Sequence, residues 1–170
     1  MLDTILKRRS CKAYKPDMVP DEIIEKIVKA GTYAASGMGK QAAIIVAITN
    51  NEVRDKLSKL NADILGAPID PFYGAPVVLA VLADKNVATH VYDGSLVMGN
   101  MMLAATELGV DSCWIHRAKE EFESPYGKEI LKSLGIEGDY EGIGNLVIGY
   151  RAADFVPAKP RKDNYVYYIK

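Results

Sequence analysis

Leu96-Val-Met-Gly-Asn-Met-Met-Leu-Ala-Ala-Thr106 carries no charged residue, and it lies inside a longer segment, Asn86 to Leu108, whose composition is helical. A helix with no polar face must be covered on nearly every side, and Gly99, Ala104 and Ala105 let another helix approach closely. A chain of 170 residues has few other elements to supply that cover. The helix is therefore expected near the interface of a homodimer, although a central helix inside a monomer would share the pattern.

Working outward, Pro76 opens the apolar run Val77 to Ala83, and Ala43 to Thr49 is a second such run; both read as buried strands. Asp111 to His116 and Gly144 to Tyr150 read as two more. Leu2, Ile5 and Leu6 predict a first helix ending near Ser10, and Pro20-Asp21-Glu22 starts a second that runs to about Ala35. Asn50 or Asn51 caps a third carrying Val53, Leu57 and Leu60, and Ser124-Pro125 begins another that Gly135 ends. Residues 61–75, with Gly66, Pro68, Pro71 and Gly74, read as a long loop able to border a site. The β-prone end Tyr165-Val-Tyr-Tyr-Ile169 can add a strand to its own sheet or to that of a second copy. Strands alternating with helices predict one domain over residues 1–170, its sheet covered by helices on both faces.

With 49% hydrophobic and 25% charged residues, the composition is that of a globular domain and not of a disordered chain or a disulfide framework. Asp93, Asn100 and Glu107 interrupt the most apolar region, so no membrane span is expected. Asp3, Lys7, Arg8 and Arg9 have no apolar run behind them, so no secretory signal is read and a cytoplasmic location is expected. The formal net charge is −1, but it is unevenly spread. Residues 1–15 set five Lys or Arg against Asp3, and residues 151–170 set five against Asp154 and Asp163, leaving an acidic middle. Two basic ends on an acidic body suggest a phosphate or carboxylate site if they converge, or solvated tails if they do not. Nucleic acid is not expected as a partner, because no interleaved basic and aromatic face is present.

Cys11, Cys113, His90 and His116 are too dispersed for a metal site. Cys113 reads as a small core residue. Glu120 and Glu121 lie in the charged stretch 119–123, read as a solvated face. Gly37-x-Gly39 and Gly142-x-Gly144 are not dinucleotide-binding turns, since neither joins a strand to the helix it feeds. No constellation for acid and base chemistry is legible, which points to chemistry carried by a bound cofactor.

Four motifs in order carry a resemblance: Arg8-Arg9-Ser10-Cys11-Lys12-Ala13-Tyr14; Ala34-Ala-Ser-Gly-Met-Gly-Lys-Gln41; Leu108-Gly-Val-Asp-Ser-Cys-Trp-Ile-His116; and Leu146-Val-Ile-Gly-Tyr150 with Pro160-Arg-Lys162. Together they resemble the FMN-dependent nitroreductase family in its short form. The resemblance implies an α+β fold with a central mixed, largely antiparallel sheet, helices on both faces, and a C-terminal strand exchanged in a homodimer. It implies FMN as cofactor, with Arg8, Ser10 and Lys12 on its phosphate and ribityl groups, Arg9 assisting, and Arg161 and Lys162 completing the phosphate site. Ser36, Gly37 and Gln41 would border the flavin ring from the other subunit, and Trp114, Ile115 and His116 would pass along it. Lys12 and His116 are the candidates for direct chemical roles. The implied activity moves reducing equivalents from NADH or NADPH to a small acceptor such as a nitroaromatic or quinone. Dehalogenation or dehydrogenation on the same scaffold, or a non-catalytic FMN carrier, are the alternatives. Gly39, Ala42 and Ala43 depart from the family's Pro-Ser-x-x-Asn-x-Gln-Pro pattern and its bulky following residue.

Overall fold

Alternation along Val77–Asp84 (β2) sets the layers. Val77, Leu79, Val81 and Ala83 face one side, Val78, Ala80 and Leu82 the other, and all seven are fully buried. A strand buried on both faces must be central. In the computed structural model, which describes residues 1–170, it lies between Ala43–Ile48 (β1) and Tyr140–Gly149 (β4), with Asp111–Ile115 (β3) outside β4. The order is β1-β2-β4-β3 and every pairing is antiparallel. One further bridge, Ser10 to Ser112, is parallel and makes the sheet mixed.

Helices cover both faces. Asp21–Thr32 (α2) and His90–Glu107 (α4) close one layer, where Ile24, Ile27, Met98 and Met101 meet Leu79, Leu146 and Ile148. Asn51–Leu65 (α3) and Ala118–Glu123 (α5) close the other, with Leu57, Phe72 and Phe122 against Val78, Leu82 and Val147. Each such side chain contributes about 1.5–3 kcal/mol by leaving water. Leu2–Lys7 (α1) lies on α4, and Pro125–Ser133 (α6) on α5. Beyond the sheet, α2 and α1 cover part of α4, yet Val91, Tyr92 and Leu96 are exposed, as are Leu2, Ile5 and Leu6 of α1. No helix is long and apolar enough to cross a membrane.

Some elements differ from expectation. The first helix stops at Lys7, because Arg8 already has extended backbone. Helix α4 begins at His90 rather than near Asn86, since the Asp84 carboxylate accepts from the Asn86 backbone and side-chain amides and holds a turn there. The charged stretch 119–123 is a short helix in which Glu120 is exposed but Glu121 is fully buried, correcting the solvated reading. The end at 165–169 pairs with no strand of this chain, and only a single turn, Asp163–Tyr165, is formed. A strand needs a neighbour for its backbone groups, and none lies within its reach.

Candidate functional site

After α1 the chain runs extended along β3. The Cys11 amide donates to the Ser112 carbonyl (3.0 Å), Lys15 to that of Tyr150 (2.8 Å), and Ala152 to that of Ala13 (2.9 Å). Side chains alternate along extended backbone, which puts Ser10 and Lys12 outside on either side of buried Cys11; Tyr14, three residues on, is buried as well. Cys113 lies beneath them. Burial pushes its thiol pKa up, but Ser10 lies within hydrogen-bonding reach and the charges of Lys12 and Arg8 pull the other way. Arg8, Ser10 and Lys12 thus share one segment docked on β3 by the Ser10–Ser112 bridge. The five ion pairs of the chain involve neither Arg8 nor Lys12.

Lys12 sits 5.9 Å from the centre of the Tyr73 ring. That ring belongs to a loop organised by Asp70, whose carboxylate accepts from Ser58, Arg54 and the amides of Phe72 and Gly74. Burial works against the Asp70 charge, and those four donors more than offset it, holding the carboxyl below its ordinary value. Phe72 is an anchor in the core, and Tyr73 is only half-buried beside Lys12.

Arg9 turns elsewhere, donating to the Leu6 and Arg8 carbonyls. Its guanidinium lies 5.8 Å from the centre of the Phe155 ring, and that of Arg151, which also donates to Asp111 (3.0 Å), lies 5.7 Å from it. This clamp holds the start of the tail. Beyond it, Arg161 and Lys162 are exposed.

At the far end of β3, Trp114 and Ile115 point to opposite layers. Trp114 lies against Gly144, where an added Cβ would come within 2.3 Å of the indole nitrogen. His116 is exposed, and its backbone carbonyl accepts from Asn61 (2.9 Å). Ser36, Gly37 and Gln41 lie next to β1, at the opposite edge of the sheet. Three strand spacings separate β1 from β3, on the order of 14 Å. The loop is fixed there: Gly37 donates to buried Asp93 (3.0 Å), Gln41 donates to Ser36 Oγ (3.1 Å), and Gly37 leaves no room for a side chain against Thr89. A cavity of about 380 Å³ opens beside it, lined in part by Ser36, Gln41, Ile45, Asp93 and Val97.

The sequence pattern of the nitroreductase family matches residues 5–69 and 69–150. The chain belongs to the nitroreductase family. A relative from Archaeoglobus fulgidus, which carries the provisional name NADH dehydrogenase/NAD(P)H nitroreductase, is 31% identical over 154 residues, 88% of this chain and 84% of its own. One of the same provisional name from Methanothermobacter thermautotrophicus is 29% identical over 118 residues, 67% of this chain. The match spans 59% of that relative's length. The crystal structure of a Bacteroides fragilis nitroreductase with bound FMN superposes with a TM-score of 0.89 at 26% identity, covering 99% of this chain and 98% of that one.

A polar cluster behind β3 escaped the sequence reading. Asn61 of α3, Glu121 of α5 and Asn145 of β4 are each fully buried. Arg117 Nε donates to Asn61 Oδ1 (2.9 Å), and Asn145 donates to Glu121 Oε2. Burial raises the Glu121 carboxyl to about 7. No local pattern marks these three residues, because their partners lie tens of residues away in sequence.

Proposed function

We propose that this protein is an FMN-dependent oxidoreductase working as a homodimer of one nitroreductase-like domain per chain, residues 1–170. The observation that carries the reading is the gathering of Arg8, Ser10 and Lys12 over Cys113, two cations without ion-pair partners and a hydroxyl on one docked segment. That donor set fits a phosphate monoester: a guanidinium meets two oxygens at once, and an ammonium and a hydroxyl supply further donors. Bound FMN supplies hydride chemistry, accepting from NADH or NADPH and passing on to a small acceptor such as a nitroaromatic or quinone in alternating turns.

The residues of this chain divide the remaining work. Arg8, Ser10 and Lys12 hold phosphate and ribityl groups, with Arg9 assisting by fixing the Arg8 backbone. Arg161 and Lys162 complete the anion site once the tail is ordered against a second copy, where Tyr165–Ile169 finds the strand partner its own chain lacks. The separation of Ser36, Gly37 and Gln41 from β3 favours a composite site, with that loop supplied by the second copy. The bare apolar surface of α1 and α4 is the matching interface. Trp114, Ile115 and His116 border the ring. Lys12 offers positive charge where negative charge collects on it, and exposed His116 can hold a proton for the acceptor. The cytoplasm, where nicotinamide donors are found, is the compartment this activity fits.

An anaerobic absorbance spectrum of the purified protein tests the reading. A yellow protein that bleaches with NADH or NADPH is expected. A colourless protein that refuses added FMN would defeat the assignment, and flavin that stays oxidised with both donors would defeat the electron-donor part alone.

A further inference from the structure

The cluster behind β3 contains an accounting problem. Asn145 Nδ2 donates to Glu121 Oε2, which leaves Glu121 Oε1 and Asn145 Oδ1 buried without partners. Both leftover atoms are acceptors if the carboxyl is ionised, and two buried acceptors without donors are costly. One proton resolves both: with Oε1 protonated, Glu121 donates to Asn145 Oδ1, and acid and amide close a two-bond ring.

We propose that Glu121 is held as the neutral acid, paired with Asn145 through two hydrogen bonds, and acts as a positioning residue for the turn between β3 and α5. That turn needs support, because Arg117 adopts a left-handed conformation, φ 76°, without being glycine. Asn61 ties it down by donating to the His116 carbonyl and accepting from Arg117 Nε, while the Glu121 amide donates to the Arg117 carbonyl (3.0 Å). Asn61 also adjoins the carboxyl and favours its ionised form; one of its two amide N–H groups goes to the His116 carbonyl, and the other does not satisfy Oε1, which has no partner. The groups facing Glu121 are few. α3 contributes the Asn61 amide and β4 the Asn145 amide, while α6 meets the Glu121 carbonyl through Gly127. The nearby charges are Arg117, which favours ionisation, and Glu120, which opposes it.

The sign follows from burial. A carboxyl raised to about 7 in the fold, against 4.5 ordinarily, gives stability that is full below about 4.5 and lost as pH rises through about 7. Glutamine mimics the neutral acid, since its amide can make both bonds to Asn145 and cannot ionise.

The test compares wild type with Glu121→Gln by denaturant unfolding between pH 5 and pH 8. The wild-type folding constant is expected to fall relative to the variant on the order of 100-fold across that range. A flat difference, or wild type gaining with pH, would overturn the proposal. If the variant fails to fold, labelled-carboxyl NMR of the wild-type chain decides alone. One Glu carboxyl should titrate near neutrality and the backbone resonances of Ile115 to Arg117 should move with it; a carboxyl already ionised at pH 5, or an unmoved turn, would sink it. The influence of this turn on a flavin rests on the function proposed above, but neither measurement needs flavin, so the two readings fail separately.

Discussion

Residues 8–15 and 151–162 are both rich in Lys and Arg, yet the first segment lies along β3 under backbone hydrogen bonds and the second leaves the body after Arg151. The difference lies in what separates the charges. Cys11 points inward between Ser10 and Lys12 and Tyr14 is buried just beyond, so burying the two fixes the polar residues on the outside. Between Arg151 and Arg161 the chain has Pro157 and Pro160, which donate no backbone hydrogen bond, and only Phe155 finds a seat, against Arg9 and Arg151. Positive charge is delivered to a place by its apolar neighbours, not by its own attraction.

The largest expected effect strikes both ends. Arg8→Ala combined with Arg161→Ala should weaken FMN binding by about 10²- to 10⁴-fold, two charge-assisted hydrogen bonds at about 1.5–3 kcal/mol each; equilibrium dialysis reads it. The single Arg8 variant should lose more than the Arg161 variant, because ordering a tail offsets part of what Arg161 contributes. Equal losses would erase the distinction between the ends. Tyr14→Ala, which removes the inward anchor of the docked segment, should destabilise the body by about 3 kcal/mol in denaturant unfolding. Asp111→Asn, which breaks the Arg151 clamp, should cost about 1–2 kcal/mol. Phe155→Ala should cost under about 1 kcal/mol of body stability while increasing proteolysis between residues 152 and 162, a purely local loosening.

Legibility followed the range of the interactions. Val77 to Ala83 and Leu96 to Thr106 could be read because continuous apolar runs announce burial whatever covers them. Arg8, Ser10 and Lys12 were readable as a motif, and the fold adds what docks their segment on β3: the burial of Cys11 and Tyr14. Glu121 was misread because Lys119-Glu-Glu-Phe-Glu123 looks like an exposed helix, and its partner Asn145 lies 24 residues on. The Asp70 carboxylate, which fixes Phe72 and Tyr73, was equally silent, since Arg54 and Ser58 reach it from α3. The final strand was expected from β propensity, but propensity supplies no neighbour.

The bridge between Ser10 and Ser112 joins positions roughly a hundred residues apart, and contacts of such long range form slowly because the intervening loop must close first. The antiparallel partners β1 and β2, and the helices packed on them, can assemble without it. Arg8, Ser10 and Lys12 are thus among the last residues to find their places during refolding. Recovery of anion affinity should lag behind recovery of helical signal, making the basic cluster a clock for the completion of folding.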